Sequence, residues 1–157
     1  MRLAVLAAAL ALAACGGAGP PPPAPDATPP QDAVMQVGDL TTRASVLETM
    51  TLSAGIAKQY GISRSVDTAL LLVTVRKGND ATSVSVPATV TATATDLRGN
   101  RQDLEMREIR SGSGADALVD SIGIVTVTPP ETMRFNITIV HPGGRSSMEM
   151  TREFYPR

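Results

Sequence analysis

Alternation with a period of two dominates this chain and restricts its fold more than any other feature. Val84, Val86, Ala88, Val90, Ala92 and Ala94 alternate with Ser83, Ser85, Pro87, Thr89, Thr91, Thr93 and Thr95. Successive side chains of a strand point to opposite faces, so this spacing makes one apolar face and one hydroxyl-bearing face. Pro87 lacks an N–H for the ladder, which predicts an edge, a bulge or a break there. Met133, Phe135, Ile137 and Ile139 alternate with Thr132, Arg134, Asn136 and Thr138 in the same manner. So do Leu104 and Met106 with Asp103, Glu105 and Arg107, and Met148, Met150 and Phe154 with Glu149, Thr151 and Glu153. The run Ala69 to Val75 is apolar on both faces, which predicts a central strand covered on two sides. Ile122 to Thr128 reads similarly, and Thr42 to Leu52 reads as a weaker first strand.

Between these runs lie turn residues. Lys77-Gly78-Asn79-Asp80, Arg98-Gly99-Asn100, Ser111-Gly112-Ser113-Gly114, Pro129-Pro130 and Pro142-Gly143-Gly144 punctuate the chain. About seven strands joined by hairpin-like connections predict an all-β, immunoglobulin-like antiparallel β-sandwich. One short helix is expected. Ser53 can cap it, Ile56 and Tyr60 share a face, and Gly61 can end it in the left-handed conformation with Ile62 packing back.

The first residues have a different character. Met1-Arg2 supplies a positive charge, and Leu3 to Ala14 is an unbroken apolar run. Twelve residues are too few to cross ~30 Å of hydrocarbon, which takes about 20, so the run reads as a secretory signal. It ends in Leu12-Ala13-Ala14-Cys15, which has the form of a bacterial lipobox. There a thiol receives a diacylglyceryl group before cleavage on its N-terminal side, and the only cysteine of the chain occupies that place. Residues 1–14 are therefore expected to be a lipoprotein signal peptide and Cys15 the site of lipid attachment. Gly16 follows in place of the Asp that retains lipoproteins in the inner membrane, so the outer membrane, on its periplasmic face, is the expected location. Residues 15–33 carry Pro20 to Pro23, Pro25, Pro29 and Pro30. Such a segment favours polyproline II at ~3.1 Å per residue, a semi-rigid spacer behind an anchor. Residues 34–157 then form the sandwich domain.

Composition removes several classes of function. Fourteen basic against fifteen acidic residues leave a net charge of −1, whereas a nucleic-acid partner asks for a basic excess to neutralise phosphates. One cysteine excludes an internal disulfide framework and cysteine-rich zinc sites. His141, the only imidazole, precedes the turn Pro142-Gly143-Gly144 and reads as a solvated loop residue without a nucleophile motif beside it. Asp103 and Glu105 share a face with Arg107, and Glu108 alternates with Arg110, which is the pattern of a solvated surface and not of an acid–base pair. The spacing Met148-x-Met150, with His141 nearby, is the only metal signal: thioether sulfur suits Cu(I), but those methionines share the core face with Phe154. The row Thr89, Thr91, Thr93, Thr95 is the ordinary polar face of a sheet. With no Trp and only Tyr60, Phe135, Phe154 and Tyr155 as aromatics, stacking platforms for sugars or single-stranded nucleic acid are missing. Tyr60 and Arg64 remain as candidates for contact with a partner, or for a helix folded over an open end of the sandwich with Arg64 pairing an acid. No cofactor and no substrate are indicated.

Four blocks of the chain resemble a known family. They are Ala57-Lys58-Gln59-Tyr60-Gly61-Ile62-Ser63-Arg64-Ser65, Leu97-Arg98-Gly99-Asn100 with Leu104 to Arg110, Glu131 to Ile137, and Phe154-Tyr155. In this order and spacing they are similar to a domain-of-unknown-function family of small envelope proteins in gammaproteobacteria, numbered 4426. The resemblance runs from about Val37 to Tyr155 and implies an exported all-β domain without an established activity. The lipobox and proline stalk lie outside it and stand on this sequence alone. The expected function is that of a non-enzymatic outer-membrane lipoprotein acting as an interaction or structural module among envelope proteins, with a periplasmic copper or small-ligand carrier as the alternative.

Overall fold

The computed structural model describes residues 32–79, 82–114 and 117–156. The signal peptide, Cys15 and most of the linker fall outside the described residues. Ten antiparallel strands form two sheets. They are β1 (Ala33–Val37), β2 (Leu40–Glu48), β3 (Thr68–Lys77), β4 (Val84–Ser85), β5 (Thr89–Asp96), β6 (Arg101–Leu104), β7 (Arg107–Ser111), β8 (Leu118–Thr126), β9 (Glu131–His141) and β10 (Gly144–Phe154). The first sheet runs β1-β2-β3-β8-β7, with β4 paired to the end of β3, and the second runs β10-β9-β5-β6. Thus β2-β3-β8-β7 occupy the A-B-E-D places of an immunoglobulin-like sandwich and β10-β9-β5-β6 the G-F-C-C′ places.

The period-two pattern fills the space between the sheets. Ala44 and Val46 of β2, Leu71, Val73 and Val75 of β3, and Val125 of β8 face Val90, Ala92 and Ala94 of β5 and Met133, Phe135, Ile137 and Ile139 of β9. Phe135 and Phe154 are the largest fully buried side chains. Ala92 and Ala94 lie opposite Ile137 and Phe135 in the ladder, small against large, so the layers interdigitate. On β8, Gly123 faces the β6–β7 connection at the sandwich edge, where an added Cβ would stand 2.5 Å from Met106 Sδ.

β3 is buried on both faces, as its apolar run predicts. Its outer face, Leu70 with the half-buried Leu72, packs with Ile122 of β8 and Ile109 of β7 beneath Leu52, Tyr60 and Ile62. This second, smaller core is covered by the crossing from β2 to β3, which contains a 3-10 turn (Thr49–Thr51) and one helix, α1 (Ala54–Tyr60). The helix begins and ends as its sequence predicts: Ser53 Oγ accepts from Ile56 N–H at 3.2 Å, and Gly61 adopts φ 62°. The buried members of its packing are Ala57 and Ile62, whereas Ile56 is 40% exposed. The helix therefore turns a different stripe to the sheet than the Ile56–Tyr60 pair implies, and it covers a sheet face, not an open end of the sandwich.

Other boundaries move for identifiable reasons. The alternating run from Ser83 to Thr95 divides at Pro87 into β4 and β5, which belong to different sheets. The run around Leu104 and Met106 likewise divides into β6 and β7 across the sandwich edge. The first strand comes as a hairpin, β1 and β2 around Gly38, so Ala33 to Val37 pairs with Leu40 to Ala44. Truncation of Phe135 to alanine would leave a cavity at the centre of the main core. We expect it to cost about 3–5 kcal/mol, read as a lowered urea midpoint at unchanged slope.

Candidate functional site

Tyr60 and Arg64, the two residues picked out for partner contact, both belong to the crossing that lies over the first sheet. Tyr60 is half-buried in the smaller core, and its backbone carbonyl, at the C-terminal end of α1, accepts from Arg107 Nη2 of β7. A cation on the last carbonyls suits the partial negative charge of a helix end. Arg64 donates from Nη2 to the Met50 carbonyl at 2.8 Å, a backbone partner within the crossing. Both side chains thus fasten the crossing to itself and to the sheet.

A buried hydroxyl was not legible as part of this arrangement. Thr49 is fully buried; its Oγ1 donates to Ser65 O at 3.0 Å and accepts from Ser65 N–H at 2.9 Å. It also lies 2.7 Å from Thr68 Oγ1. Since the one Thr49 proton goes to the Ser65 carbonyl, Thr68 is the donor in that contact. One side chain therefore ties the start of the crossing to its end.

Where the crossing leaves β2 and rejoins β3, the sandwich end carries a cleft of about 230 Å³. Met50 and Val66 come from the two ends of the crossing, Pro129 from the β8–β9 loop, and Phe154, Tyr155 and Pro156 from the chain end. Glu48 and Asp67 bring carboxylates to the same lining. Val66 is 60% and Tyr155 65% exposed, large apolar surfaces for a small domain. The Tyr155 hydroxyl donates to Glu153 Oε2, and that bond and its charge hold the phenol above its ordinary pKa.

The candidate copper ligands are separated by the strand register. Met150 is buried in the main core and Met148 packs against it half-buried. Met148 pairs with Ile137 and His141 with Gly144, four ladder positions away, which at ~3.4 Å per residue places His141 roughly 14 Å along the strands. His141 Nδ1 accepts from Gly143 N–H at 3.1 Å within the turn. No cluster of three or more His, Cys, Asp or Glu occurs among the described residues. Asp103 pairs with Arg101 at 2.8 Å and Glu108 with Arg110 at 2.8 Å, each a neighbour on its own strand. The threonines of β5 lie on the outer face of the second sheet, with Thr91 opposite Thr138 and Thr93 opposite Asn136.

On the outer face of the first sheet, Asp120 of β8 stands beside Arg76, Nη2 to Oδ1 3.9 Å, and Oδ1 has no hydrogen-bond donor. Burial raises its pKa above the ordinary value, and the Arg76 charge opposes this only in part. Asp96 is the opposite case: the Asn100 side chain, with the backbone N–H groups of Asn100 and Arg98, lowers its pKa in the β5–β6 turn.

Two outcomes follow from this geometry. Thr49→Val keeps the volume and removes the hydroxyl, so about 1–3 kcal/mol of stability is lost and amide exchange at Ser65 accelerates. For Asp120, the folded chain holds a proton that the unfolded chain releases. Its stabilising contribution is full below the unfolded value of ~3.9 and is lost as pH rises through the raised folded value. Asp120→Asn should therefore gain on the wild type in thermal melts between acidic and neutral pH, and a constant difference across that range would contradict the assignment.

The family described as "Domain of unknown function (DUF4426)" matches residues 34–157. Among solved structures, the crystal structure of a DUF4426 family protein from Pseudomonas aeruginosa PAO1 is similar, with 23% identity and a TM-score of 0.66, covering 80% of this chain and 96% of that one. At that identity the likeness speaks for the fold. The GAE domain of GGA2p from Saccharomyces cerevisiae aligns over 82% of this chain and 99% of its own at 6% identity, with a TM-score of 0.32 that carries no argument. No curated protein matches the chain. With the blocks around Tyr60, Leu104, Phe135 and Phe154 now placed in one sandwich and the match spanning all of it, the chain belongs to the DUF4426 family.

Proposed function

We propose that this protein is a non-enzymatic lipoprotein of the outer membrane, held on the periplasmic face by acyl chains on Cys15. Its sandwich domain serves as an interaction or structural module for other envelope proteins. The observation that carries the reading is the placement of the only cysteine directly after Leu12-Ala13-Ala14, at the end of a charged-then-apolar leader. Two or three acyl chains, at about 0.8 kcal/mol per buried methylene, make anchoring stable. The proline-rich residues that follow supply reach between leaflet and domain.

The surface supports the interaction part of the reading. The polar groups of the outer faces are dispersed along the ladders, with Arg101 on Asp103, Arg110 on Glu108 and Arg134 near Glu149. Of the exposed apolar groups, Met50, Val66 and Tyr155 come together at the cleft at one end of the sandwich. Apolar surface rimmed by polar residues suits protein contact.

Labelling of cells with a radioactive or clickable palmitate tests the anchor. The wild-type chain should carry the label and fractionate with the outer membrane, and Cys15→Ser should lose both. A processed wild-type chain with a free Cys15 thiol in its mass spectrum would overturn the reading.

A further inference from the structure

The second sheet ends on β10, an 11-residue edge strand without proline. Natural edges of that length are shortened, kinked or covered unless they pair with something. Which of its backbone groups are open follows from the ladder. Asp96 N–H donates to the Asn100 carbonyl in the β5–β6 turn, so even-numbered residues of β5 bond toward β6. Alternation then gives the odd-numbered residues of β5 to β9. Through the registers Thr89↔Val140 and Gly144↔His141, even-numbered residues of β10 bond to β9. The backbone N–H and C=O groups of Arg145, Ser147, Glu149, Thr151 and Glu153 therefore point away from the sheet.

We propose that this edge pairs with β10 of a second copy, antiparallel about a two-fold axis at Glu149. That axis lets all eleven residues of the strand pair, from Gly144 against Phe154 to the reverse. On the outer face it sets Arg145 opposite Glu153 twice and Ser147 opposite Thr151 twice. Opposite charges directly across antiparallel strands attract. The one like-charge contact, Glu149 on Glu149, is relieved by Arg134, whose Nε lies 3.8 Å from Glu149 in each copy. On the inner face it sets Met148 opposite Met150 and Ser146 opposite Arg152. Ser146 Oγ and Arg152 Nε are buried and lack a hydrogen-bond partner in the single copy. Both lie on this one strand, and the two-fold places each opposite the other. The rotation axis stands perpendicular to the sheet, so the first sheets of both copies stay on the same side. The proposal does not depend on lipid at Cys15.

A competing role for Arg152 is that of an inward charge that keeps the edge unpaired. Sedimentation of the full chain in density-matched mild detergent separates the two. The wild type should show a concentration-dependent dimer. Arg145→Glu alone and Glu153→Arg alone should each weaken it about tenfold, because each puts like charges together at two places. The double variant restores the opposite-charge pairs and should recover dimerisation. Arg152→Ala should weaken the dimer; stronger association in that variant would assign Arg152 as a guard and overturn the proposal. A monomer at all concentrations, or a double variant no tighter than the singles, would overturn it as well. The charged positions 145 and 153 are solvent-facing, so circular dichroism should be the same for all four chains.

Discussion

The structure depends on the burial of β3 from two directions. Its inward residues Leu71, Val73 and Val75 close the main core, and its outward Leu70 and Leu72 require a second cover. An exposed stripe of that kind would be a hazard on a sheet face. The crossing from β2 to β3 supplies the cover, and the rest of its design serves that task. Ser53 and Gly61 fix where the helix starts and stops, Arg107 holds its end, and Thr49 and Arg64 close the loop on itself. Helix α1 has seven residues, too short for stability of its own, so its order comes from the surface it covers.

That dependence explains which parts of the fold the sequence discloses. The two-sided run of β3 and the capping residues of α1 are local signals, and both are realised as the sequence predicts. Sheet membership is not a local signal. Ser83 to Thr95 keeps one alternating pattern while the chain leaves one sheet at Ser85 and enters the other at Thr89. Val86 and Ala88, either side of Pro87, both pack against the main core, so the pattern carries across a change of sheet. Leu104 and Arg107 repeat this where β6 of one sheet passes into β7 of the other. The strand Ala33 to Val37 is hidden for another reason: it follows directly on proline-rich sequence and has only five residues.

The cleft at the sandwich end was less legible than the fold. Its lining draws Met50, Val66, Pro129 and Tyr155 from four places distant from one another along the chain. Nothing in their spacing joins them; the closure of the crossing by Thr49 does. Arg64 illustrates the same limit. An arginine after a helix suggests an ion pair or an exposed contact, but the carbonyl it caps at Met50 becomes available only through the path of the loop.

Attachment to a leaflet and pairing through β10 would reinforce one another. Cross-strand charge pairs contribute little each, on the order of 0.2–1 kcal/mol, so such a dimer is weak for chains diluted in three dimensions. Tethering through acyl chains on Cys15, as proposed above, would confine copies to a layer and raise their effective concentration. A two-fold axis perpendicular to the sheets keeps both β1 strands, and with them both chain entries at Asp32, on the same layer of the pair. Two stalks could then descend to the same surface without either domain turning over. The orientation comes from the strand register alone, so it does not rest on the lipid proposed for Cys15.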